Sequence, residues 1–260
     1  MKQLRSVLAG LAVLVLAVAV LVWFMPARLA LWLLQSRLQG VRLSDVSGLL
    51  WQGRAGRVSV PGRAQLGSVA WTLSRRALWG DIQLGLDLRQ PQFQLQGRMQ
   101  RLSSHLDEWR DVTVHIDTAL LGVQPWLHGQ PAGTLVLHIA QAQLQGYWPL
   151  QVDAAGTWSQ AALRTAKGAI ALGNMSIHIS GRDGVLRASL DDDGGGPLRT
   201  AGRLSFSPLG WDVQVNLKPR RDNRALLHWL QTLAPPGPDG GVQLRYRGGL
   251  NAFNETTGNP

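Results

Sequence analysis

From residue 55 onward the chain changes character at almost every position. "RVSV", "QLGSVAWTL", "DIQLGLDL", "QFQLQGRMQ", "VTVHID", "TLVLHIA", "SIHIS" and "DVQVNL" all alternate apolar with polar residues. A period of two gives a strand one face on a core and one in water. Gly, Pro and Asp turns separate these runs at intervals of roughly ten residues, which predicts an antiparallel meander, sandwich or barrel instead of parallel βαβ units. Two helical interruptions are expected, at 118–127 ("TALLGVQPWL") and at 223–233 ("NRALLHWLQTL"). The second has Asp222 or Asn223 as its N-cap and is stopped by Pro235-Pro236-Gly237. The stretch 182–206 reads as a polar, flexible tip between strands, and "NAFNETTGNP" (251–260) as a disordered tail.

The segment 73–86, "LSRRALWGDIQLGL", aligns without a gap to 204–217, "LSFSPLGWDVQVNL". The fold class expected is therefore mainly β, with an antiparallel β-rich domain over 41–250 that carries short helices and a turn-plus-strand unit used twice.

The first forty residues follow another pattern. Val7 to Met25 has no charged or strongly polar side chain, and at about 1.5 Å per residue it would nearly match a hydrocarbon core of about 30 Å. A cleaved signal peptide is the rival reading. The run exceeds the usual apolar region and ends in bulky Trp23-Phe24-Met25-Pro26 where small residues should sit, so an uncleaved signal anchor is expected. Trp23 suits the membrane–water boundary. Lys2 and Arg5 precede the run, while Arg28, Arg37 and Arg42 follow it, so basic residues barely fix orientation. Keeping the tail 1–6 in the cytoplasm is the simpler insertion route. It places the rest in the periplasm of a cell with an inner membrane. Residues 26–40 then read as a helical extension with Leu29, Trp32, Leu33 and Leu38 as its apolar stripe.

Composition removes several functions. There are 26 Lys+Arg against 16 Asp+Glu, a net charge of +10, and all the basic residues but Lys2, Lys167 and Lys218 are arginine. The arginines are dispersed along the chain, unlike the clustered footprint of a nucleic-acid binder. An acidic partner or anionic lipid fits this charge better. With no cysteine, disulfides, thiolate metal sites and thiol nucleophiles are excluded.

Candidate chemistry is sparse. The six histidines form no metal-binding pair, and His115, His138 and His178 sit on the polar side of strand patterns. Ser104, His105 and Asp107 are neighbours in sequence, which is not the spatial convergence of a triad. Asp191-Asp192-Asp193 before three glycines departs from calcium-loop spacing and reads as a turn. "LKPRRDNR" gathers Lys218, Arg220, Arg221 and Arg224, either a solvated strand-to-helix junction or a contact for an acidic partner. No catalytic residue, cofactor or metal is expected.

One stretch is more specific. In "SGLLWQGRAGRVSV", Gly48, Trp51 and Gly53 follow the apolar run by about twenty residues, and in "LGSVAWTLSRRALWGDIQLGLDL" Trp71, Leu73, Ser74 and Leu78 stand in the order W-x-L-S-x-x-x-L. A helix, a Pro/Gly break and a final strand close the pattern near Leu250. This order resembles the protein N family of bacterial type II (general) secretion systems. The resemblance implies one membrane span, a periplasmic β-rich domain and an accessory role in exporting folded proteins across the outer membrane. It also implies no catalytic residues, and as partners the other secretion components, namely the inner-membrane platform and the outer-membrane secretin. Trp51 and Trp71 are expected to be core anchors, with Gly48 and Gly53 letting the backbone turn around Trp51. A second class stays open: a β-groove protein anchored in the inner membrane that handles or transports lipid. A scaffold should have a filled core, and a conduit an apolar trough open to solvent.

Overall fold

In the computed structural model the described residues are 20–34, 42–59, 67–220 and 223–249. Most of the expected membrane span, residues 7–19, lies outside them. So do Leu38, the side chains of Trp32 and Leu33, the tail 251–260, Arg221 and Asp222. Among the described residues no helix is long and apolar enough to cross a membrane.

The alternation becomes antiparallel sheet, in two compact units, residues 1–90 and 91–260. The first holds β1 (Arg42–Gly48), β2 (Gln52–Ser59), β3 (Ser68–Leu73) and β4 (Gln83–Gln90), each paired antiparallel with the next. A helix, Ala27–Leu34, precedes them, and a 3-10 helix, Arg75–Trp79, joins β3 to β4. The apolar cluster of this unit is small: Ala27, Val46, Ala55, Val58 and Val69, with Leu31, Leu43, Trp71 and Leu86 against it.

The second unit is a longer meander. It runs β5 (Phe93–Arg101), β6 (Leu106–Asp117), β7 (Gln130–Gln145), β8 (Trp148–Thr165), β9 (Gly168–Arg182), β10 (Val185–Asp192), β11 (Leu198–Ser207), β12 (Gly210–Pro219) and β13 (Val242–Gly249). Each strand pairs antiparallel with its sequence neighbour. β8, at 18 residues, is about three times the usual strand length. It keeps its register by absorbing irregularities, including one around Gln160, whose φ is +52°.

Directly opposed residues share a face, so the register lays out apolar rows across this unit. One runs Leu95, Val114, Leu137 and then, past Gly156, Ile177 and Leu190. A second runs Val112, Ile139, Ala154, Ile179, Ala188, Leu204 and Val213. His115, His138 and His178 are exposed on the polar face.

The helix Arg224–Leu233 covers part of this unit. Leu226, Trp229 and Leu230, spaced three and four residues apart, are buried against Leu163, Ile170, Leu172, Leu198, Leu217 and Val242. The Trp229 indole donates to the Leu127 carbonyl at 2.8 Å. Asn223 is the N-cap, its side-chain oxygen accepting from the N–H groups of Ala225 and Leu226.

Three local expectations change. The stretch 118–127 forms two 3-10 turns, Thr118–Leu121 and Pro125–Leu127, because Gly122, at φ +66°, and Pro125 interrupt any longer helix. The stretch 182–206 is not one flexible tip: β10 and β11 occupy most of it, and the turn is confined to residues 193–197. The aligned segments 73–86 and 204–217 both contain a turn leading into a strand, but the first turn is a 3-10 helix and the second a tight two-residue turn. In both, the glutamine of the Asp-x-Gln step donates to the aspartate: Gln83 to Asp81 at 3.2 Å and Gln214 to Asp212 at 3.0 Å.

Truncating Leu226 to Ala should destabilise the protein by about 2–5 kcal/mol, whereas Asn223→Ala should cost about 1 kcal/mol. Thermal unfolding of the two variants checks that order.

Candidate functional site

The most constrained side chains in the first unit lie around Trp51, in the turn between β1 and β2. Gly48 and Gly53 face each other across the hairpin. Gly48 has φ +92°, and a Cβ there would lie 2.5 Å from the Gln52 carbonyl oxygen, so the position is closed to other residues twice over. At Gly53 the constraint is steric: a Cβ would meet the Trp71 ring, 2.8 Å from Cε2. The Trp71 indole lies across that glycine, and its N–H donates to the Leu50 carbonyl at 3.0 Å.

Trp51 points the other way. It is 6% exposed, and its N–H is shared between the carbonyls of Val22 and Trp23, 3.1 Å from each. Those residues belong to the helical turn at 20–23, where terminal carbonyls have no partner within the helix. The backbone adds further ties. Leu50 N–H donates to Met25 O at 2.9 Å, Pro26 bridges Leu49, and Leu73 N–H reaches Trp51 O at 2.7 Å. Arg28 Nε donates to Val46 O at 2.8 Å. The first hairpin is thus clamped to the residues that end the apolar run.

Of the motif residues, Gly48, Trp51, Gly53 and Trp71 meet at this clamp. Trp51 is buried, and Trp71 is half-buried, its indole over Gly53 and packed against the apolar cluster of the first unit. Leu78 is outside the clamp, 50% exposed on the 3-10 helix. The ties to the 20–23 carbonyls and the role of Arg28 had no sequence signal, since a carbonyl acceptor carries no residue preference.

The basic cluster is partly engaged by the chain itself. Lys218 pairs with Asp239 at 3.0 Å, and Arg220 pairs with Asp192. Arg224 is exposed in the first turn of its helix, and Arg221 lies outside the described residues. The Lys218 hydrogen bond and the Gly241 N–H hold the Asp239 carboxyl below its ordinary value. Burial pushes Asp192 up, but the Thr200 N–H at 2.7 Å, the Arg220 guanidinium and the Gly194 N–H at 2.9 Å together bring it below the ordinary value.

Asp193 accepts from Gly195 N–H and the Asn174 amide. Among the described residues no group of three or more His, Asp or Glu could hold a metal ion. Ser104 and His105 are exposed between β5 and β6, and Asp107 is bound to Arg101 at 2.9 Å. Sequence reasoning passed over Glu108, whose side chain is only 2% exposed. It accepts from the Gln141 and Gln143 amides and pairs with Arg110 at 2.7 Å, so the buried charge is compensated.

Trp51→Phe keeps the apolar bulk but leaves the helix-end carbonyls without the indole donor, and should cost about 1–3 kcal/mol. Gly53→Ala should also destabilise, and a smaller residue at Trp71 should partly rescue it; thermal melts of the single and double variants measure this. The depressed Asp192 contributes stability that is fully present above its unfolded value of about 3.9 and is lost as pH falls through the lower folded value. Melts of the wild type and Asp192→Asn at neutral and acid pH should converge below about pH 4.

A family model described as type II secretion system (T2SS), protein N, matches residues 39–245. No curated protein and no solved structure matches the chain. The matched region begins just before β1 and ends within β13, so it includes the hairpin with Gly48, Trp51, Gly53 and Trp71 and the helix-capped meander, while Val22, Trp23, Met25 and Arg28 lie before it. The chain belongs to the type II secretion system protein N family, accessory components of that secretion machinery.

Proposed function

We propose that the chain is a non-enzymatic accessory component of the type II secretion system that acts through contacts with other proteins of the machinery. In this reading Val7–Met25 is an uncleaved, single-pass anchor in the inner membrane, and the β-rich region lies in the periplasm. The observation that carries the reading is the clamp: Trp51 and Leu50 bond to Val22, Trp23 and Met25, the last residues of the uncharged run. A sheet tied to the end of that run suits a protein held at a fixed height over a membrane. The inner-membrane platform is the nearest partner, and the secretin a further one. Of the basic residues offered for an acidic partner, Arg224 is the better candidate, because Lys218 and Arg220 already hold Asp239 and Asp192.

A second reading, lipid handling on an apolar β face, is favoured by one observation. The apolar rows of the second unit are largely half-buried, including Ile179, Ala188, Leu204 and Val213, while Phe206, Trp211 and Tyr246 are 37–46% exposed. The described buried cluster gathers where the helix Arg224–Leu233 sits.

Alkaline phosphatase fused after Leu250 should be active, and a cytoplasm-only reporter there inactive. Activity of the cytoplasmic reporter, or a mature N-terminus past residue 25, contradicts the anchor. In cells lacking the native protein, Ser104→Ala and His105→Ala should restore export fully. A stable, inserted Ser104→Ala or His105→Ala protein that fails to do so would falsify the non-enzymatic reading.

A further inference from the structure

The clamp leaves several large apolar side chains of the first unit in solvent. On the helix-end side, Leu21 is 64%, Trp23 41%, Phe24 61% and Leu29 55% exposed. On the 3-10 helix Arg75–Trp79, Leu78 is 50% and Trp79 77% exposed. One contact joins the two groups: the Arg75 guanidinium lies over the Trp23 ring, 4.2 Å from its centroid.

The 3-10 helix is held in shape at both ends. Ser74 accepts from Arg76 N–H, and Gly80, at φ +89°, closes it with N–H bonds to Ala77 and Arg76. Its exposed indole is therefore presented by a capped turn. Arg75 and Arg76 flank it, and Arg76 is only loosely paired with Asp81 at 3.9 Å.

We propose that Leu78 and Trp79 enter the interfacial layer of the same membrane that holds Val7–Met25, with Arg75 and Arg76 binding the phosphates of anionic lipid headgroups. This rests on the anchor proposed above. Three observations select a bilayer surface as the occupant. The patch adjoins the end of the nineteen-residue uncharged run through the Arg75–Trp23 contact. Its composition is aromatic and aliphatic flanked by arginine, the combination that sits at the headgroup boundary. The chain's net charge of +10 suits an anionic surface. The motif leucine, Leu78, thereby gains a role outside the core.

The absence of cysteine makes the test direct, because a single introduced thiol is unique. Leu78→Cys and Trp79→Cys are made separately in the full-length chain and given a nitroxide label. Each is reconstituted into vesicles of phosphatidylethanolamine and phosphatidylglycerol. At both sites the label should be relaxed more by oxygen than by a water-soluble nickel complex, the reverse of the free label in water. Adding Arg75→Glu and Arg76→Glu should return the labels to nickel access while the protein stays resistant to carbonate extraction. Labels that favour nickel in the otherwise unaltered, carbonate-resistant protein overturn the docking and leave the anchor standing. A protein that carbonate extracts overturns both.

Discussion

A sheet whose strands follow one another in chain order gets no second layer from its own topology. Every apolar face that the alternation creates must be covered by something else, left half-open, or turned against another surface. In the second unit the cover is a ten-residue helix, Arg224–Leu233, and burial is deepest where Leu226, Trp229 and Leu230 reach the strands. In the first unit, Ala27 and Leu31 of the N-terminal helix join Val46, Ala55, Val58 and Val69. Neither cluster is large, so directional bonds carry unusual weight. The indole N–H groups of Trp51, Trp71, Trp148, Trp158 and Trp229 all end on backbone carbonyls.

That use of tryptophan ties fold to function. An indole offers a large apolar surface and one donor, so it can fill a shallow interface and satisfy a carbonyl at once. At Trp51 the satisfied carbonyls are those of Val22 and Trp23, which end a helical turn. The glycines are consequences of the same design: Gly48 supplies a left-handed turn residue, and Gly53 clears space for the Trp71 ring. The clamp also decides which apolar residues are left over, and Leu78 and Trp79 are among them.

The strands were legible because a period of two survives in nearly every one of them, and the helix Arg224–Leu233 because its cap, apolar spacing and proline stop agree. What sequence could not supply was anything that depends on acceptors. The carbonyls that receive Trp51 and Arg28 belong to positions where any side chain would serve. The basic cluster was only partly legible for a related reason: Asp239 and Asp192 are distant in sequence from Lys218 and Arg220, so sequence left open whether the cluster is solvated or meets a partner and did not show that the chain itself pairs part of it. β10 was submerged in a polar reading because the following DDDGGG turn dominates the composition of that stretch.

In the proposed role the protein works by holding partners of the secretion machinery, through an intact fold, at the membrane. Purifying the tagged full-length chain from solubilised membranes and identifying what accompanies it tests that most directly. Other type II secretion components should accompany it, retained with Ser104→Ala and lost when Trp51→Ala breaks the clamp. Recovery of stoichiometric lipid with no secretion component would contradict it and favour the apolar face of the second unit as a conduit.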